Sequence, residues 1–269
     1  MRIWANHAHV FPQELREEGS LDNLLLYMDS CEIEGCVAFA PLARQVRELG
    51  LDPTVWLAKA VKRRPDRIIA FGTIDLGGSS FKSQVKKIHD LGMRGIKIHP
   101  PGQRTAILAD ALLEVYAEAE KRELFISFHT GPHRSRLASL RVLDFDEIAL
   151  RFPRLRFSLE HVGGYAGLRE AVGVIQNNEH RPHTRGVGTV FAGLTTVFHP
   201  RWREYYLSPM MLEELVYRIG EDHIIFGLDF PYNDVNETKE AIKIINHLNI
   251  STAAKEKILG EVLHAQIAL

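Results

Sequence analysis

Ile3-Trp4-Ala5-Asn6-His7-Ala8-His9 starts as a short apolar run and ends in two histidines one residue apart. Side chains alternate across a β-strand, so residues i and i+2 share a face, and His7 and His9 point the same way. The strand is expected over Arg2–His9. Similar runs follow at Gly35–Ala40, Arg67–Ile74, Gly95–His99, Leu124–His129, Leu155–His161, Val187–Thr195 and His223–Asp229. Amphipathic segments lie between them, such as Phe81–Leu91 and Ala109–Lys121. In the second, Leu112, Leu113, Tyr116, Ala117 and Ala119 recur near the helical period. Two more, Glu237–His247 and Thr252–Ala268, follow the last strand. This alternation predicts βαβ units and a parallel sheet. Eight strands suit a closed (β/α)8 TIM barrel better than an open doubly wound sheet. No GxGxxG follows the first strand, which removes the main dinucleotide-binding reading. One domain spanning residues 1–269 is expected. The polar stretch Asn177–Arg185 breaks the rhythm and reads as an extended loop.

The expected strand ends carry the chemistry. Lys97 and His99 share one face of their strand, while Ile96 and Ile98 face helices. His129 lies opposite Leu124, Ile126 and Phe128, and Asp229 lies opposite Ile224, Phe226 and Leu228. Parity places His161 with Phe157 and Leu159. Each of these ends runs into loop chemistry, as in Pro100-Pro101-Gly102, Thr130-Gly131-Pro132 and Phe230-Pro231-Tyr232. Active sites form at the C-terminal strand ends of such barrels. Imidazoles and a carboxylate converging there suit Zn2+ or a similar divalent ion with an open position for water. A lone histidine at a strand end is more often a satisfied polar residue, and His89, His180, His183, His223, His247 and His264 keep that reading. Burying so many polar groups without a shared partner would cost several kcal/mol, which favours the metal.

Composition narrows the partners. With 33 basic and 34 acidic residues the net charge is −1, so no global field draws nucleic acid or an anionic membrane. No apolar run is long enough for a membrane span, and the start MRIWANHAHVF lacks the pattern of a signal peptide. Cys31 and Cys36 do not make a disulfide framework. A cytoplasmic protein acting on a small molecule is expected, with homo-oligomerisation left open.

The whole set resembles the amidohydrolase superfamily: HxH on the first strand, His closing the fifth and sixth, Asp closing the eighth. The motifs Gly95-Ile96-Lys97-Ile98-His99-Pro100, Phe128-His129-Thr130-Gly131, Glu160-His161-Val162-Gly163-Gly164 and Phe226-Gly227-Leu228-Asp229-Phe230-Pro231 resemble its amidohydrolase-related branch. That branch holds aminocarboxymuconate-semialdehyde decarboxylase-like enzymes and many uncharacterised hydrolases. The resemblance spans His7 to Pro231 and is not specific to a substrate. It implies that His7, His9, His129 and Asp229 ligate the metal and that Asp229 accepts a proton from its water. His161 is implied as a ligand of a second ion or as acid/base beside the first. Lys97 is implied as a carboxylated bridge in two-metal members. An ammonium paired with a carboxylate inside the barrel ranks above that reading. His99 stands beside Lys97 as a further bridge or site candidate, and one or two ions are expected.

Substrate candidates are Arg104, His133, Arg134 and Tyr232, with Tyr165, Trp202, Tyr205 and Tyr206 as further walls. Arginine presents a fork matched to carboxylate or phosphate, although surface solvation is its commoner fate. The leading function is a metal-dependent hydrolase of an amide or lactone using metal-activated water. A non-oxidative decarboxylase is the alternative, and a non-catalytic barrel scaffold ranks third. The compact chain and the intact HxH weigh mildly against the decarboxylase.

Overall fold

In the computed structural model, which describes residues 2–78, 80–179 and 188–267, eight parallel strands pair in chain order and close on themselves. They are β1 (Trp4–His9), β2 (Gly35–Phe39), β3 (Ile68–Thr73), β4 (Gly95–Ile98), β5 (Phe125–His129), β6 (Phe157–Glu160), β7 (Val190–Leu194) and β8 (Ile224–Phe230). Pairing of β1 with β8 seals the barrel. The structure is a (β/α)8 barrel, with helices such as Leu21–Ser30, Pro53–Val61, Phe81–Asp90 and Asp110–Lys121 between successive strands. Val187 and residues 180–185 of the expected loop lie outside the described residues.

Two apolar layers follow from strand alternation. Ala5, Ile96, Ile126, Phe128, Phe157, Leu159 and Phe226 face outward and pack with helix residues such as Leu24, Leu57, Ile88, Val115 and Leu215. Burying each large side chain of this kind contributes about 1.5–3 kcal/mol. Trp4, Val37, Phe39, Phe71, Phe125, Phe191 and Ile225 face inward and fill the barrel. The interior is therefore packed, and polar side chains gather at the end where the strands finish.

One expected helix divides. Thr252–Ala268 becomes Thr252–Glu256, a π turn over Lys257–Glu261 and Val262–Ile267. A Cβ on Gly260 would stand 2.6 Å from the Trp4 backbone nitrogen and 2.8 Å from the Arg2 carbonyl oxygen. Only glycine lets the chain press this closely on β1, and the bend delivers Val262, Leu263 and Ile267 to the interior layer. Among the described residues, no helix is long and apolar enough to cross a membrane.

Candidate active site

A cavity of about 600 Å³ opens at the C-terminal strand ends, lined by His7, His9, Lys97, His99, His129, His161 and Asp229 among others. Strict alternation would not have put all of them there. Ile3 and Ala5 face outward, so an unbroken strand would send His7 outward too. The register of β1 against β2 shifts between Ala5 and Ala8, and His7 takes φ +72°. This bulge turns His7 inward beside Asn6 and leaves His9 on the same side, so the pair shares a face as expected.

His161 corrects its expected parity. Phe157 and Leu159 pack outward against helices, so regular continuation would carry His161 out with them. Instead β6 ends at Glu160, and His161 (φ +64°) and Val162 (φ +48°) turn through the left-handed region. Asp229 is also left-handed, at φ +55°. Such conformations cost of order 1–3 kcal/mol each in non-glycine residues and persist where surroundings over-determine them.

Glu160 anchors the left-handed His7, while Thr195 holds His161 and Thr196 holds Asp229. Fully buried, the Glu160 carboxylate accepts from Asn6 Nδ2 at 2.7 Å, from the Ser158 hydroxyl, from the Thr195 hydroxyl at 2.6 Å and from His7 Nδ1 at 3.0 Å. Four donors match the four acceptor sites of a carboxylate. The bond to Glu160 fixes the His7 proton on Nδ1 and leaves Nε2 as a lone pair facing the cavity. Sequence reasoning quoted Glu160 in a motif without giving it a role. Its inward parity, opposite Phe157 and Leu159, was the available signal.

Nε2 of His7 lies 3.1 Å from Nε2 of His9 and 3.4 Å from Oδ1 of Asp229, and His9 Nε2 lies 3.6 Å from that oxygen. Oδ2 of Asp229 accepts from the Thr196 hydroxyl at 2.6 Å. Burial, then the neighbouring Lys97 and imidazoles, holds His7 well below the ordinary histidine pKa. Burial, then His7, does the same for His9. Both therefore present lone pairs. Burial pushes Asp229 up to about 6, against the Thr196 hydrogen bond and the charge of Lys97. A cation at the triangle would reverse that shift.

Lys97 departs from the ranking given above. Its ammonium lies 3.3 Å from His7 Nε2 and 4.7 Å from the centre of the Phe39 ring, and no described carboxylate is within ion-pair distance. Glu160 cannot turn to it because its acceptor sites are filled. Burial draws Lys97 down to about 8, opposed by the more distant charges of Glu160 and Asp229.

His161 donates from Nδ1 to the Thr195 carbonyl at 2.9 Å, which leaves Nε2 free, and burial draws its pKa down to about 4. His129 is buried, and its Nε2 has no hydrogen-bond partner among the described residues. It groups with His99 and His133, whereas His7 and His9 group with Asp229. The rings of His99 and His129 stack, with centres 4.1 Å apart and planes within 11°.

Of the substrate candidates, His133, Arg134 and Tyr232 line the cavity, as do Trp202 and Tyr205. Arg104, Tyr165 and Tyr206 are not among its lining residues. Arg44 and Gln45, after β2, do line it and were not anticipated. Their segment is a short 3-10 turn with no strong sequence pattern.

A family model described as amidohydrolase matches residues 7–261. The chain belongs to the amidohydrolase family. Comparison with curated proteins gives no match. Among solved structures, the chain resembles an uncharacterised TIM-barrel protein from Bordetella bronchiseptica, at 18% identity and TM-score 0.77, with 100% of this chain and 99% of that one covered. It also resembles a dihydroxybenzoic acid decarboxylase from a Polaromonas species, with bound manganese and the inhibitor 2-nitroresorcinol. There the identity is 16%, the TM-score 0.69 and the coverage 100% and 97%. A third is a 2-pyrone-4,6-dicarboxylic acid hydrolase, so named provisionally, from Pseudomonas putida, at 16% identity, TM-score 0.69 and 99% and 97% coverage. Identities this low show a shared fold, and this amidohydrolase has neighbours of both reaction types.

Proposed function

We propose that this amidohydrolase is a metal-dependent hydrolase of a small-molecule amide or lactone. One observation carries the reading: the His7–His9–Asp229 triangle with edges of 3.1, 3.4 and 3.6 Å. Ligand atoms about 2.0–2.1 Å from a tetrahedral divalent ion stand about 3.3–3.4 Å apart. Nε2 of His7, Nε2 of His9 and Oδ1 of Asp229 would hold the ion, with the unpartnered Nε2 of His129 as a further donor. When bound, a divalent ion lowers the pKa of its water to about 7 and polarises a substrate oxygen.

The chain's own groups divide the remaining work. Glu160 keeps the His7 proton on Nδ1, so the ring cannot turn its N–H toward the ion site. Thr196 fixes Oδ2 of Asp229 and turns Oδ1 to the triangle, where its second lone pair is left to accept a proton. His161 rests with Nε2 unprotonated, so the proton it would deliver to a leaving group is the one taken up from the water by Asp229 and passed on to Nε2.

Decarboxylation of a small carboxylic acid is the second reading, favoured by the likeness to the Polaromonas decarboxylase. The test uses metal-loaded protein in H2(18)O with a panel of lactones, amides and dihydroxybenzoates. Incorporation of 18O into an acid product supports hydrolysis, and CO2 release without it supports decarboxylation. Protein that takes up neither Zn2+ nor Mn2+ sinks both readings.

A further inference from the structure

His99, His129 and His133 bring three imidazole nitrogens within 4.8 Å of one another, the spacing of a second metal site. Protonation rules His99 out of it. The backbone N–H of Gly102 donates to Nδ1 of His99 at 2.9 Å. A nitrogen that accepts from an amide carries no proton, so the ring proton of His99 sits on Nε2. A protonated nitrogen has no lone pair for a metal. Nδ1 is occupied by the amide and Nε2 by its proton, so neither nitrogen of His99 is a ligand.

The arrangement around the ring holds that tautomer. The His99 backbone N–H donates to Gln103 Oε1 at 2.8 Å, and Gln103 Nε2 donates to the Ile74 carbonyl at 2.8 Å. A Cβ on Gly102 would stand 2.9 Å from Nδ1 and 3.1 Å from Leu42 Cδ1, so only glycine permits this approach. The far side of the ring lines the cavity, where His129 covers one face and His133 meets it edge-on at 4.7 Å. Arg134 lines the same cavity and has no ion pair with a described carboxylate.

We infer that His99 is a substrate-binding donor, not a metal ligand, and that its Nε2–H holds a carboxylate oxygen of the substrate beside Arg134. The inference deepens the proposed function and rests on this cavity being the substrate site. A substrate of this class carries an anionic group in addition to the bond broken at the triangle.

Three measurements test it. Long-range 1H–15N spectra of histidine-labelled, metal-free protein, assigned with His99→Ala, should show His99 protonated on Nε2 and bare on Nδ1. An Nδ1–H tautomer overturns the inference, and this result does not depend on whether the protein binds metal. Elemental analysis after equilibration with Zn2+ should give the same metal content for wild type and His99→Ala, and loss of an equivalent overturns it. Benzoate, titrated calorimetrically into the Zn2+-loaded protein, should bind about tenfold more weakly to His99→Ala, the value of one charge-assisted hydrogen bond. His99→Gln, which keeps an N–H at the Nε2 position, should recover most of the loss. No weakening in His99→Ala, or no benzoate binding by wild type, overturns the carboxylate assignment.

Discussion

Two groups of three donors face the same cavity and differ in everything but proximity. On the β1–β8 side, His7, His9 and Asp229 sit on a bulge at His7 and a left-handed turn at Asp229, with edges of 3.1 to 3.6 Å. A buried carboxylate fixes the His7 tautomer so that a lone pair faces the others. On the β4–β5 side, His99 lies flat on His129, and a backbone amide fixes the opposite tautomer. Parallel stacked rings aim their in-plane lone pairs side by side, while a tetrahedral ion needs them convergent. Histidine is common to both groups, so residue type alone does not say which imidazole is a ligand. The partner on the far nitrogen does, because it decides whether the near one offers a pair or a proton.

The harshest test removes the first group. His7→Ala with His9→Ala should strip the metal and lower turnover on the order of 10³-fold or more, since metal-activated water is lost. Circular dichroism should show the barrel still folded, because both side chains point into the cavity and not into either apolar layer. Full metal occupancy in the double variant would end the distinction drawn between the groups.

A smaller but more discriminating change is Asp229→Asn. The amide oxygen remains a weak donor but accepts no proton, so kcat at saturating metal should fall on the order of 10²-fold. Recovery of kcat on adding Zn2+ would reduce Asp229 to a ligand alone. If His161→Ala proves the more damaging of the two, the decarboxylase reading gains.

Glu160→Gln probes the tautomer from below. The amide puts two N–H groups where Asn6, Ser158, Thr195 and His7 all donate, so His7 loses its fixed proton. Metal affinity should drop about 10–100-fold, as for other partners of ligating histidines. An unchanged zinc dissociation constant would show that the triangle is set by the bulge alone.

The mildest change falls on the second group. Gly102→Ala crowds Nδ1 of His99 and breaks the hydrogen bond it accepts from the residue-102 amide, at a cost of about 1–2 kcal/mol. Thermal unfolding should register that loss while metal content stays at the wild-type level. A fall in bound metal would make the two groups equivalent after all.

The sequence by itself determined the barrel and most of its donors. Eight runs of period two, spaced by helical segments, leave few closed solutions, and inward parity at β4, β5 and β8 correctly delivered Lys97, His99, His129 and Asp229 to one end. Alternation is a local property of extended backbone, so it is legible residue by residue. It failed where the backbone stops being extended. His7 and His161 face the cavity only because left-handed turns reverse them, and no local pattern announces a conformation that costs energy locally. Glu160 and Thr195 hold those two residues from the ends of β6 and β7, 153 and 34 residues away from their partners. The tautomers of His7 and His99, hence which imidazole binds metal and which binds substrate, were likewise decided only by tertiary structure. A proton's place on a ring is set by whatever donor or acceptor the fold brings to the other nitrogen.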